Sequence, residues 1–195
     1  MHILVVGGGM GGTILANNLA RRLSGELEQG SSKITMLSAS DKHMYQPGLL
    51  YVAVGKMSTS ELYRDQKSLL EPSIDFHVDP VEKFDLDNNS VTTKSGKKIS
   101  YDIICIATGS RGNAAGIPGL AENACQFYTE ADALAMYKKL QKFEGGKVVV
   151  ATGVPHKCPM SPLEITFFLI DYFKKRGIWD LSLIHISEPT RLSTI

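Results

Sequence analysis

Cysteine is scarce in this chain. Cys105, Cys125 and Cys158 are the only 3 among 195 residues, too few for the disulfide framework of a small secreted domain. An excess of either charge is also missing: 21 Lys and Arg face 20 Asp and Glu, a net charge of +1. No block of like charges breaks that balance, which excludes a nucleic-acid footprint and a polybasic membrane patch. No apolar run approaches the roughly 18–20 residues that span a bilayer. Met1 leads straight into Ile3-Leu4-Val5-Val6-Gly7 without a basic stretch or a long apolar one. That start predicts no cleaved signal peptide and a place in the cytoplasm or on the cytoplasmic face of a membrane. Repeats and low-complexity tracts are absent too. What remains, 43% apolar and 21% charged residues, is the make-up of a globular protein of one or two domains.

The pattern is α/β. Ile3–Val6 is a β-branched apolar run of the kind buried in a parallel sheet. Glycines follow from Gly7 to Gly12, then Ile14, Leu15, Leu19 and Leu23 recur at helical spacing, and Lys33–Leu37 forms a second strand. This is the opening βαβ unit of a Rossmann-like dinucleotide-binding domain. Ile74–Val78, Val81–Leu86 and Ser90–Thr93, punctuated by Asp87-Asn88-Asn89, predict a small antiparallel meander. Tyr101–Gly109 returns to a buried strand that ends at a glycine. Thr129, with Asp132 three residues on, predicts a helix cap. Lys147–Ala151 is a strand again. Ser161-Pro162-Leu163-Glu164 predicts a helix start with a serine cap, and Lys174-Lys175-Arg176-Gly177 its end. A second βα unit of dinucleotide type thus begins near residue 147.

Gly7-x-Gly9-x-x-Gly12 carries the first chemistry. Gly7 permits the tight turn, Gly9 lets the backbone approach a pyrophosphate, and Gly12 lets helix and strand pack closely. Met10 and Gly11 open the helix whose N–H groups and positive dipole end face the phosphates. The second strand ends at Ser38-Ala39-Ser40-Asp41, where an acid usually meets the ribose. Either Ser38 substitutes for it, or Asp41 reaches back, or the stretch is only the start of a loop.

Gly153–Met160 (GVPHKCPM) occupies the turn where a second nucleotide site needs glycines. Proline has no N–H for a phosphate and a β-carbon blocks close approach, so this turn predicts poor use of NAD(P)H. Cys158 stands just ahead of the helix, beside Lys157 and near His156. Each neighbour favours the thiolate; the alternative is a small residue packed beneath the loop. Cys105 lies inside an apolar strand and reads as core. His2, His43, His77 and His185 lack metal-ligand spacing, so no metal site is predicted. Tyr45 and Tyr51 either border a cavity or pack in the core.

A specific likeness emerges from Gly7–Gly12, Ile34-Thr35-Met36-Leu37-Ser38, Tyr45-Gln46-Pro47 with Val52-Ala53-Val54-Gly55, the meander and Ala107-Thr108-Gly109. Together they resemble the flavin-dependent oxidoreductases built of two dinucleotide domains. Within these the chain looks most like the sulfide:quinone oxidoreductase and flavocytochrome c sulfide dehydrogenase group, from Met1 to about Asp180. The resemblance implies FAD on the first βαβ unit, with Pro47 and Gly48 beside the flavin, the Val81 backbone at the adenine, and Thr108 and Gly109 close to the cofactor. It also implies a redox cysteine on the loop of Cys158. The family's other first-half cysteine falls by register on Tyr128, three residues beyond Cys125, which leaves Cys125 as a weaker catalytic candidate.

The implied function is oxidation of sulfide or a related sulfur species, with electrons passed to a quinone. An NADH-oxidising flavoprotein of the same architecture and a non-catalytic FAD-binding fragment are the alternatives. The expected organisation is an FAD-binding domain over 1–112, the start of a second Rossmann-like domain over 113–180, and a tail over 181–195. Leu181–Ser187 alternates like a further strand, yet Leu181–Arg191 also resembles sequence foreign to the family. A full family member is much longer, and its quinone-binding and membrane-docking segments lie beyond the resemblance. The piece alone is expected to be inactive.

Overall fold

Four successive apolar residues, Ile3 to Val6, need cover on both faces of their strand. In the computed structural model that strand lies inside a parallel sheet. Residues 1–151 and 157–187 are described, 181–187 as backbone alone. The strands are β1 (His2–Val6), β2 (Lys33–Ser38), β3 (Lys42–Met44), β4 (Tyr63–Asp65), β5 (Ile74–Val78), β6 (Val81–Asp85), β7 (Ser90–Thr93), β8 (Lys98–Ser100), β9 (Ile103–Ile106), β10 (Gly146–Ala151) and β11 (Ser182–Ser187). The helices are α1 (Met10–Arg22), α2 (Ser24–Glu28), α3 (Leu49–Ala53), α4 (Leu120–Asn123), α5 (Glu130–Gln141) and α6 (Ser161–Lys175).

The chain divides into two compact units, Met1–Tyr45 with Tyr63–Gly109 and Gln46–Leu62 with Ser110–Ile195. Gln46–Leu62, expected within the first domain, groups with the second unit.

In the first unit the main sheet runs β5-β2-β1-β9, all parallel. On one face Ile3, Val5, Ile34, Met36 and Ile74 pack with Ala16 and Ala20 of α1, whose small side chains let the helix lie close. On the other, Leu4, Val6 and Leu37 meet Val91 and Tyr101. Each buried aliphatic contributes about 1.5–3 kcal/mol. The antiparallel sheet β6-β7-β8 is the meander. It differs from expectation at its start, because β5 pairs with β2 in the parallel sheet. Ile74 is buried and Phe76 packs on the α1 face, so β5 needs the cover that this sheet provides. β9 is an edge strand rather than a buried one: Ile103 is 46% and Ile106 56% exposed.

In the second unit α5 starts as expected, with the Asp132 N–H donating to Thr129 Oγ1 at 3.1 Å. Ile165, Leu169 and Phe173 of α6 are buried. The Arg176 guanidinium donates to the Leu140 and Phe143 carbonyls, both at 2.8 Å, which ties the end of α6 to the end of α5. β10 and β11 pair in parallel, Gly146 with Ser182 through Ala151 with Ser187, so the strand reading of Leu181–Ser187 describes the backbone there. The start of α6 differs from expectation: Met160 is the cap residue, Ser161 is the first helical residue, and no side chain caps the helix. Among the described residues no helix is long and apolar enough to cross a membrane, and no cluster of metal-ligating side chains occurs.

Candidate functional site

The β1–α1 turn gathers most of the predicted cofactor residues of the first unit. Gly7 has φ +115°, a conformation that disfavours any side chain. A Cβ there would collide with the Ala107 carbonyl and come 3.1 Å from the Thr108 nitrogen. A Cβ on Gly12 would strike the Gly7 carbonyl oxygen. These two glycines therefore set how closely β1, α1 and the end of β9 approach.

Gly9 and Gly11 are different. A Cβ at either meets no atom within 4 Å. Gly9 is the cap residue of α1, with no side chain capping the helix and no acid in its first turn. The positive end of α1 is thus uncompensated and has open space above the Gly9 and Gly11 backbone, which fits the pyrophosphate of a dinucleotide. Met10 is exposed at the same helix start.

Ser38 ends β2 and is buried. Its Oγ accepts from the Ser40 N–H at 3.2 Å and would lie 2.5 Å from a Cβ on Gly8. Ser38 therefore touches the glycine turn. Asp41 is exposed, and its carbonyl accepts from the Gln66 N–H at 2.7 Å. Thr108 and Gly109 follow β9 in the same unit, Gly109 at φ +76°. Val81 starts β6, half-buried against the second face of the main sheet. Pro47 and Gly48 belong to the second unit, in a single 3₁₀ turn over Gln46–Gly48.

One group of side chains at this turn has no signature in the sequence. The Gly8 carbonyl accepts from His43 Nδ1 at 3.1 Å and from Thr13 Oγ1 at 3.3 Å. Fully buried Gln66 completes the group: its Oε1 accepts from His43 Nδ1 at 3.0 Å and its Nε2 donates to Thr13 Oγ1 at 2.9 Å. Thr13 lies in α1, His43 in β3 and Gln66 just after β4, with no motif spacing.

In the second unit Cys158 sits three residues before Ser161 and is partly buried. Its thiol is held below the ordinary cysteine range. The Ser161 hydroxyl contributes most, the Ser161 and Met160 N–H groups add to it, and burial and Glu164 oppose it. Lys157 is not among these causes, and its ammonium donates to the Ser110 carbonyl at 3.0 Å. Residues 152–156, with His156 and most of the proline-bearing turn, lie outside the described residues. Cys125 is exposed in the segment between α4 and α5, and all three cysteines are free thiols. Cys105 is partly buried against the α1 face of the sheet. Tyr51 is 40% exposed and packs against Phe168 with the rings tilted at 58° and their centroids 4.9 Å apart. A cleft of about 490 Å³ in this unit, lined by Val52, Gly55, Lys56, Leu134 and Tyr137 among others, holds none of the predicted site residues.

Residues 1–153 match the family described as pyridine nucleotide-disulphide oxidoreductase. The sulfide-quinone reductase of Aquifex aeolicus is 36% identical over 180 residues, covering 91% of this chain and 40% of that protein. The mitochondrial sulfide:quinone oxidoreductase of Mus musculus is 30% identical over 182 residues, covering 90% and 39%. The X-ray structure of the sulfide:quinone oxidoreductase from Aquifex aeolicus superposes with a TM-score of 0.82 at 31% identity, covering 97% of this chain and 44% of that one. The chain spans about two fifths of the length of the curated relatives it matches.

Proposed function

The chain belongs to the pyridine nucleotide-disulphide oxidoreductase family, whose flavoproteins bind FAD, and from that premise we propose that the whole protein oxidises sulfide or a related sulfur species and passes the electrons to a quinone. The observation that carries this reading is the Cys158 site. A thiol stabilised as thiolate by a serine hydroxyl and two backbone N–H groups is a competent sulfur nucleophile and leaving group, and it stands in a chain similar to sulfide:quinone oxidoreductases.

The chain's own residues take these roles. Gly9, Met10 and Gly11 present backbone to the pyrophosphate at the α1 start, and Ser38 meets the ribose. Thr108, Gly109 and Val81 border the cofactor from the same unit. Bound FAD supplies a two-electron acceptor for sulfur. Cys158 forms a disulfide with a second cysteine of the whole protein. Hydrosulfide attacks the second cysteine's sulfur, the disulfide breaks, that cysteine becomes a persulfide and Cys158 leaves as the stabilised thiolate. Ser161 holds the negative charge whenever Cys158 is itself the thiolate.

The test uses the whole protein, reconstituted with FAD. Anaerobic sulfide is expected to bleach the flavin absorption. Cys158→Ser is expected to keep FAD and lose that bleaching, because serine forms neither a disulfide nor a persulfide. Full sulfide turnover in Cys158→Ser contradicts the role of Cys158, and rapid bleaching by NADH moves the protein to the NADH-oxidising class.

A further inference from the structure

We infer that His43, Thr13 and Gln66 are positioning residues that turn the Gly8–Gly9 peptide so that its N–H faces the dinucleotide phosphate. The inference rests on the FAD reading above. Its starting point is a conformational problem. Gly7, Gly8 and Gly9 are consecutive, so the peptides between them flip at little steric cost. A phosphate-binding turn needs one orientation.

Two donors converge on the Gly8 carbonyl and choose it. A carbonyl only accepts, so His43 carries its proton on Nδ1, shared between Gly8 O at 3.1 Å and Gln66 Oε1 at 3.0 Å. Thr13 donates its hydroxyl proton to Gly8 O and receives the Gln66 amide proton. Gln66 is 0% exposed and its backbone N–H is held by the Asp41 carbonyl, so the side chain that orders the other two extends from a fixed, buried position. Ser38 and Gln66 flank Gly8, at 2.5 and 3.5 Å from where a Cβ would stand. In a trans peptide the C=O and the next N–H point in opposite directions. Fixing the Gly8 carbonyl toward the buried group therefore aims the Gly9 N–H away from it. Among the described residues no acceptor meets that N–H, and it lies at the start of α1 beneath the open space described above. The donor is ordered before the phosphate arrives, which removes an entropic cost of binding.

The experiment reads FAD dissociation constants, the ³¹P resonances of the bound pyrophosphate and thermal melting on this chain and its variants. His43→Phe removes the donor, and FAD is expected to bind at least about tenfold more weakly, with ³¹P resonances moved toward those of free FAD. His43→Asn restores a donor near the Nδ1 position and is expected to recover most of the affinity and the ³¹P shift. Thr13→Val, near-isosteric, is expected to lose roughly threefold with melting close to the parent chain. Unchanged affinity and ³¹P shift in folded His43→Phe and Thr13→Val overturns the inference and leaves the FAD reading intact. Equal losses in His43→Phe and His43→Asn, in step with lowered melting, overturn it in favour of simple packing. A parent chain that takes up no FAD overturns both.

Discussion

Ser161 shows how one hydroxyl has two possible uses at a helix start. Serine followed by proline and, three residues on, glutamate reads as a cap, and in sequence nothing argues otherwise. In the fold Ser161 lies one position inside the helix and its hydroxyl serves the Cys158 sulfur. The thiolate character of Cys158 was therefore legible, but its cause was not. Lys157 is adjacent in sequence yet bonds the Ser110 carbonyl, and adjacency along a chain does not decide where a long flexible side chain points. The sign of the consequence is clear. A hydrogen bond to the charged form lowers the thiol pKa and enlarges the thiolate fraction near neutrality. Ser161→Ala removes the largest of these contributions, so the Cys158 midpoint should move upward. Alkylation of the Cys158 peptide, followed by mass spectrometry against pH, should slow near about pH 7 and match the parent near about pH 10.5, where both thiols are ionised. A rate that stays unchanged near neutrality would leave the helix-start N–H groups as the whole cause.

At the scale of elements, β1, the glycine turn and α1 were readable because each demand is local: an apolar run, a tight turn, a helical repeat. Within the turn the glycines do different things, and the structure separates them. Gly7 is needed by the fold, through its φ of +115° and the Ala107 carbonyl against it. Gly9 has extended backbone open to any residue, φ −75° and ψ −175°, and nothing near its missing Cβ. Gly7→Ala is expected to destabilise the chain by about 2 kcal/mol or more, from the positive φ and the collision together. Gly9→Val should melt close to the parent and yet fail to bind FAD, because the branched side chain fills the approach to the pyrophosphate. Thermal melting and flavin titration on the same two variants check the contrast, and it is refuted if Gly9→Val retains the flavin. The assignment of β5 was not legible for a related reason. Its alternation suits either sheet, and only the long-range pairing of Ile34 with Ile74 through Ser38 with Val78 selects the parallel one.

Across the whole molecule, the grouping of Gln46–Leu62 with residues from 110 onward depends on contacts far apart in sequence, such as Tyr51 on Phe168 and the Lys56–Asp171 ion pair at 2.7 Å. No spacing rule reports them, and the sequence alone therefore predicts a continuous first domain. The exposure of β9 was equally hidden. Ile103-Ile104-Cys105-Ile106 reads as an interior strand, but β1 is its only neighbour among the described residues. Among the described residues no strand pairs with its outer edge, beside Ile103 at 46% and Ile106 at 56% exposure. Such an edge templates pairing with another chain. The 195-residue chain is therefore expected to self-associate as its concentration rises. Ile106→Lys places a charge on that edge at a site already open to water, where substitutions change stability by only about ±0.5 kcal/mol. Sedimentation velocity across a wide concentration range should show the parent shifting to larger species and Ile106→Lys staying monomeric, with both melting alike. Parent and variant sedimenting identically at every concentration would place any association on a surface other than β9.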